Sequence, residues 1–72
     1  MLNITIENIQ LKKDGVYTRA CVIGYGRRFS RYEFKVGLRY YRGTGGPGYL
    51  DIGDSLTIVY LPSDPTVNRS RE

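Results

Sequence analysis

The sequence predicts an all-β fold, a small antiparallel barrel or sandwich of about five strands, SH3-like or OB-like in size. Three observations predict it. Apolar and polar residues alternate over several short segments, glycine-containing turns separate these segments, and no segment longer than a turn has helical spacing. The chain has 72 residues, which indicates one domain. A core this small stabilises the folded state by only a few kcal/mol.

The N-terminal half begins with an alternating segment at residues 2–6, which predicts a strand. The apolar spacing then slips at Ile9, and a bulge near Glu7–Asn8 accounts for the slip; a short helix is the alternative. Residues 12–15 end in Asp-Gly, which predicts a tight turn. Val16–Ile23 is rich in β-branched and aromatic residues and predicts a strand, with either face able to point inward.

The clearest alternation in the chain lies at Ser30–Val36, and Gly37 supplies a turn before Leu38–Arg42 returns as a second strand. Residues 43–48 are rich in glycine and predict irregular structure, and residues 51–54 predict a second turn. A further strand follows at Ser55–Leu61. The predicted core consists of the inward residues of these strands: Tyr32, Phe34, Val36, Leu38, Tyr40, Leu56, Ile58 and Tyr60. The predicted outward residues are Arg31, Glu33, Lys35, Arg39 and Tyr41.

Pro62 lacks the N–H that a strand ladder needs, so it predicts the end of the domain's last strand. Residues 63–72 are mostly polar and contain Pro65, which predicts a flexible tail that leaves the barrel. The predicted organisation is therefore one β-domain over residues 1–62 followed by a polar tail over residues 63–72.

Two motifs in the second half resemble a known family. The first comprises Tyr32-Glu33-Phe34, Val36-Gly37, Tyr40 and Gly43. The second comprises Gly53-Asp54, Leu56, Ile58, Tyr60-Leu61-Pro62 and Asp64-Pro65. In this order and spacing, they resemble the bacterial domain of unknown function 3592, over about half of the chain. Members of that family usually carry a soluble β-domain between two transmembrane helices.

The resemblance implies a β-fold and a membrane setting, namely an extramembrane domain of a bacterial envelope protein. It supplies no catalytic residues. This chain lacks the two helices: no apolar run approaches the roughly 20 residues needed to span a bilayer. The N-terminus has no basic region of the kind that begins a signal peptide. As given, the chain is expected to be soluble.

The residue types argue against catalysis and against a bound metal or cofactor. The chain has no histidine, and its one cysteine, Cys21, has no second cysteine or base to activate it, so it is expected to be a buried apolar residue. Asp51, Asp54 and Asp64 supply too few oxygen ligands for a calcium loop. The glycines of residues 43–48 lack the Lys-Ser/Thr and helix of a phosphate-binding loop. The sequence therefore predicts a protein that is not an enzyme.

The strongest functional signal is basic. The formal net charge is +4, and Glu33 is the only acidic residue between positions 19 and 42, where seven cations fall. Aromatic residues lie among these cations. The candidate basic contact surface consists of Arg27, Arg28, Arg31, Lys35, Arg39 and Tyr41.

Three interpretations of this cluster stay open. The charges could keep an exposed sheet soluble and free of edge-to-edge aggregation. They could contact an acidic protein or an anionic membrane surface. They could bind single-stranded nucleic acid, with cations at the phosphates and rings at the bases. The expected function is a non-enzymatic module of a bacterial envelope or membrane protein, in protein interaction or structural placement; the alternative is a small nucleic-acid-binding β-barrel.

Overall fold

The computed structural model describes residues 11–71, which form a five-stranded antiparallel sheet. The strands are β1 (Val16–Tyr25), β2 (Ser30–Val36), β3 (Arg39–Gly45), β4 (Ser55–Leu61) and β5 (Asp64–Ser70). Their order in the sheet is β3-β2-β1-β4-β5, so β1 lies at the centre and pairs with both β2 and β4. The predicted all-β class is confirmed.

The two edge strands of the sheet, β3 and β5, lie against each other, so the sheet curls into a nearly closed barrel. Because every hydrogen-bonded pair is antiparallel, β3 and β5 run in the same direction. The order around the barrel is therefore β1-β2-β3-β5-β4, which corresponds to the OB-like alternative. A bulge in β1 between Val22 and Gly24 helps the central strand bend from one half of the barrel to the other.

Residues 11–14 form one helical turn, which the amide of Gly15 closes by donating to the carbonyl of Leu11 at 3.0 Å. The sequence predicted a tight hairpin turn at residues 12–15, and this prediction is wrong because residues 11–14 are helical. The strand expected at residues 2–6 and the bulge expected at Glu7–Asn8 lie outside the described residues.

The main core is formed by inward residues of β1, β2 and β4. Its buried members are Ala20, Val22, Tyr32, Phe34, Leu56 and Ile58. Four of these were predicted, and two more predicted residues, Val36 and Tyr60, are partly buried against the cluster. The sequence left open which face of β1 points inward, and in the structure it is the face that carries Ala20 and Val22.

The predicted inward positions of Leu38 and Tyr40 are wrong. Val36 pairs with Arg39, so the hairpin turn contains two residues, Gly37 and Leu38, rather than Gly37 alone. Gly37 has φ 63°, which favours glycine. The extra turn residue reverses the facing of every side chain in β3. As a result Leu38 is 94% exposed and Tyr40 is 64% exposed.

The flexible tail predicted at residues 63–72 is also wrong over most of its length. The chain turns at Pro62 and Ser63, and β5 pairs with β4 at Asp64 and again from Asn68 to Ser70, with an irregularity in the register between them. Pro62 does end β4, as expected, but the chain folds back instead of leaving the barrel. The expected irregular structure at residues 43–48 starts later than predicted, because β3 continues through Gly45.

The contact between β3 and β5 depends on one tyrosine and one asparagine. The hydroxyl of Tyr32, on β2, reaches across the barrel and donates to Oδ1 of Asn68, on β5, at 2.5 Å. The Asn68 Nδ2 donates to the carbonyl of Arg42, on β3, at 3.4 Å. Gly43 lies opposite Tyr32 in the β2–β3 register, and a Cβ there would overlap the Asn68 Oδ1 and the Tyr32 hydroxyl. Glycine at position 43 therefore lets the barrel close.

We expect Gly43→Ala to lower the free energy of unfolding by about 1–3 kcal/mol, because the added methyl group must displace the Tyr32–Asn68 hydrogen bond. Gly24→Ala is the matched control, since Gly24 also lies in a strand and a Cβ there has open space. Urea denaturation of both variants measures the difference. Equal stabilities would show that the β3–β5 contact does not require glycine.

Burial raises the pKa of Tyr32 to about 12, and the positive charge of Arg69 offsets part of this effect. The ordinary value is 10.0, so protonated Tyr32 favours the folded state. This stabilisation is complete below about pH 10 and is lost as the pH rises to about 12, a change of roughly 2 kcal/mol. We expect the stability of the native protein to fall more steeply than that of Tyr32→Phe over this range, measured by urea denaturation. Parallel pH profiles for the two proteins would contradict this assignment.

Candidate basic contact surface

The outer face of the β2–β3 hairpin carries two of the five cations predicted for the contact surface. Arg31 and Lys35 both point outward from β2, as the alternation predicted, and both are exposed. Their partners on β3 are Thr44 and Tyr40. We call the outward residues Arg31, Lys35, Tyr40 and Arg42 the basic face.

Two of the predicted hairpin residues do not lie on the basic face. Arg39 pairs with Val36 and Tyr41 pairs with Phe34, so both have the facing of core residues. Arg39 is nevertheless exposed, because it follows directly after the hairpin turn. The ring of Tyr41 is half-buried and stacks on Phe34 at 6.0 Å between centroids. The outward facing predicted for Arg39 and Tyr41 is wrong, and Tyr41 contributes to the core instead.

Tyr40 and Arg42 take the two outward positions on β3. Nζ of Lys35 lies 5.6 Å from the centroid of the Tyr40 ring, within the range of a cation–π interaction. Nε of Arg42 lies 3.1 Å from Oε2 of Glu33. This exposed ion pair neutralises the only carboxylate of the hairpin. Among residues 11–71, Lys35 and Arg31 form no ion pair, so they carry the uncompensated charge of the basic face.

The loop between β1 and β2 extends the positive charge beyond the hairpin. Arg27 and Arg28 are both exposed there, as is Phe29. The amide of Gly26 donates to the carbonyl of Phe29 at 2.8 Å, which fixes the loop as a tight connection. Because Ser30 pairs with Gly45, this loop lies at the end of the barrel where β3 finishes. The two arginines are thus next to the Arg31 end of the basic face.

The sequence analysis counted Arg42 among the seven cations of residues 19–42, but it placed neither Tyr40 nor Arg42 on the outward face because it assumed a one-residue turn. A two-residue turn of Gly37 and Leu38 is a common hairpin connection, and that signal was available. Reasoning from the sequence also left Arg69 and Arg71 in a tail, although residues 64–70 form β5 and Arg71 follows directly. The amide of Arg71 donates to the carbonyl of Thr57, on β4, at 2.9 Å, so the chain is held against β4 at this residue too.

The structure gives defined positions to the aspartates of residues 51–54 and to Cys21. Among residues 11–71, no group of three or more cysteine, aspartate or glutamate side chains lies close enough to hold a metal ion. Oδ2 of Asp54 accepts from the amide of Asp51 at 2.8 Å and so stabilises the turn predicted at residues 51–54. Cys21 is exposed, so the prediction of a buried cysteine is wrong. It lies on the outer face of β1, between Ser55 and Glu33 in the sheet.

In the part of the chain that the structure describes, no helix has the length and apolar character needed to cross a membrane. Comparison with known protein families, with curated proteins and with solved structures finds no match to this chain. The resemblance to the bacterial family of unknown function therefore stays a prediction.

The two neighbouring tyrosines of β3 are expected to differ in their effect on stability. Tyr41→Ala removes a ring that stacks on Phe34, so we expect a loss of about 1–3 kcal/mol in the free energy of unfolding. Tyr40→Ala removes an exposed ring, and we expect a change within about 0.5 kcal/mol. Thermal and urea denaturation of the two variants give both values. A larger loss for Tyr40→Ala would mean that the facing of β3 is the reverse of that described.

Proposed function

We propose that this chain is a non-enzymatic binding module that contacts an acidic partner through the basic face. The observation that carries this proposal is a pair of cations, Arg31 and Lys35, that form no ion pair within the described part of the chain and lie beside the exposed ring of Tyr40. An exposed charge of a single sign attracts partners of opposite charge. An exposed ring next to it adds apolar contact area at small entropic cost.

The partner class that we favour is an acidic protein face or an anionic membrane surface. The resemblance noted above supports this choice, because the family's β-domains lie close to a membrane in bacterial envelope proteins. Arg27 and Arg28, at the end of the hairpin, widen the positively charged area that such a surface would meet. Clusters of cations bind anionic headgroups with about 1 kcal/mol for each Lys or Arg near the surface.

Single-stranded nucleic acid is the second candidate, and two observations favour it. The strand order is that of OB-like barrels, which bind oligonucleotides on the β2–β3 face and its flanking loops. Tyr40 and Phe29 are exposed rings beside cations on that part of the barrel. Bases stack on such rings, with about 1–3 kcal/mol for each base.

Titration with four ligands tests the proposal and separates the partner classes. The ligands are polyglutamate, phosphatidylglycerol vesicles, phosphatidylcholine vesicles as a neutral control, and a dT oligonucleotide of about 15 nucleotides. Each is titrated at low salt and at about 150 mM salt. The test variant is Arg31→Gln/Lys35→Gln. The charge-matched control is Lys13→Gln/Arg39→Gln, at exposed positions that lie off the basic face.

We expect the native protein to bind polyglutamate or phosphatidylglycerol vesicles, and the test variant to bind about tenfold more weakly than the control variant. Tight oligonucleotide binding that persists at about 150 mM salt and falls about tenfold in Tyr40→Ala would favour the nucleic-acid candidate instead. Equal weakening by the test and control variants would mean general charge attraction and would overturn the proposal.

A further inference from the structure

A second group of cations lies on the other half of the barrel, on the outer face of β1, β4 and β5. Tyr17, Val59 and Arg69 are direct neighbours across these three strands. Opposite residues in adjacent strands share a face of the sheet, so the ring of Tyr17 and the guanidinium of Arg69 flank Val59. Arg71 lies beyond β5, and its guanidinium carbon is 5.5 Å from the centroid of the Tyr17 ring.

The floor between these side chains is apolar. Val59 is buried with Leu11 and Leu61 in a small cluster separate from the main core, and Val67 packs against it. Gly15 allows the helical turn of residues 11–14 to approach β4 closely, because a Cβ at position 15 would overlap the Val59 side chain. The helical turn therefore forms one wall of a pocket that has Leu11 and Val59 at its base.

The pocket has a volume of about 350 Å³. Its lining residues are Leu11, Lys12, Tyr17, Val59, Arg69 and Arg71. Among these described lining residues, three are cations and none is a carboxylate, so they give the pocket a positive rim and an apolar base. A volume near 300 Å³ or above is typical of pockets that hold small ligands.

We propose that this pocket binds a small amphipathic phosphate monoester, a ligand with a dianionic phosphate and an attached apolar or aromatic group. Three cations around one opening fit a doubly charged anion better than a single carboxylate. The guanidinium groups of Arg69 and Arg71 can donate paired hydrogen bonds to phosphate oxygens, and Lys12 adds a third charge. The apolar group lies over Val59 and against the ring of Tyr17.

The site is distinct from the basic face. The basic face is on β2 and β3, whereas the pocket lies on β1, β4 and β5 and in the helical turn. The basic face is an exposed strand surface, and the pocket is a concavity with a buried apolar base. A ligand small enough to enter a concavity and reach a buried apolar base therefore distinguishes the pocket from the basic face.

Amide chemical shifts of the ¹⁵N-labelled protein test the proposal. Three probes are titrated separately: inorganic phosphate, adenosine 5′-monophosphate, and dihexanoyl phosphatidic acid below its micelle concentration. The test variant is Arg69→Gln/Arg71→Gln, and the charge-matched control is Arg31→Gln/Lys35→Gln on the basic face. Both test positions are exposed. If the test variant fails to fold, Arg69→Lys/Arg71→Lys keeps the charge and removes the paired hydrogen bonds.

We expect one of the two organic phosphates to shift the amides of Tyr17, Val59 and Arg69 and to bind at least about tenfold more tightly than inorganic phosphate. We also expect the test variant, or the lysine variant in its place, to weaken this binding about tenfold while the control variant retains it. A response to the nucleotide alone indicates a nucleotide ligand, and a response to the lipid alone indicates a lipid phosphate. Equal binding of all three probes, equal loss in both double variants, or no shift at these amides would overturn the proposal.

Discussion

The hydrogen bond from the Tyr32 hydroxyl to Asn68 is the interaction on which the rest of this structure depends. It connects β2 to β5 across a seam where the two neighbouring edge strands have no antiparallel pairing. Gly43 makes the approach possible, since any side chain at that position would occupy the space of both partners. A fully buried tyrosine needs a partner for its hydroxyl, so the same bond also satisfies a polar group inside the core.

Closure at this seam decides which surfaces the chain presents to its surroundings. With β5 held against β3, the inner faces of the strands surround one small core, and the charged side chains occupy the outside. The β2–β3 hairpin presents one set of cations, and β5 carries another beside a second apolar cluster. If β5 were a free tail, Arg69 and Arg71 would have no fixed neighbours and the pocket would lack one side.

The tyrosines of this domain have different structural roles. Tyr32 closes the barrel, Tyr41 extends the core by stacking on Phe34, and Tyr40 stays in solvent beside Lys35. Tyr17 lies on the opposite half, under Arg71. Tyr40 and Tyr17 are exposed rings that each lie next to a cation, and tyrosine and arginine are both enriched at binding interfaces.

The sequence by itself determined the class of the fold, most of the core and the basic character of the surface. Period-2 alternation is a local property, so Tyr32, Phe34, Leu56 and Ile58 could be assigned to the interior without any knowledge of their partners. The excess of cations between residues 19 and 42 was likewise visible in the chain. These features depend only on the order of residues within each strand.

Only the tertiary structure decided the facing of β3, the existence of β5 and the positions of Arg69 and Arg71. Which side chains of a strand point inward after a hairpin depends on the length of the turn. Because Leu38 belongs to the turn, the inward and outward residues of β3 are the reverse of those predicted. The strand β5 is polar and contains a proline, so its own sequence favours a loop. It forms a strand because β4 pairs with it along one edge and Tyr32 holds Asn68 beside Gly43 at the other, and both contacts come from distant parts of the chain.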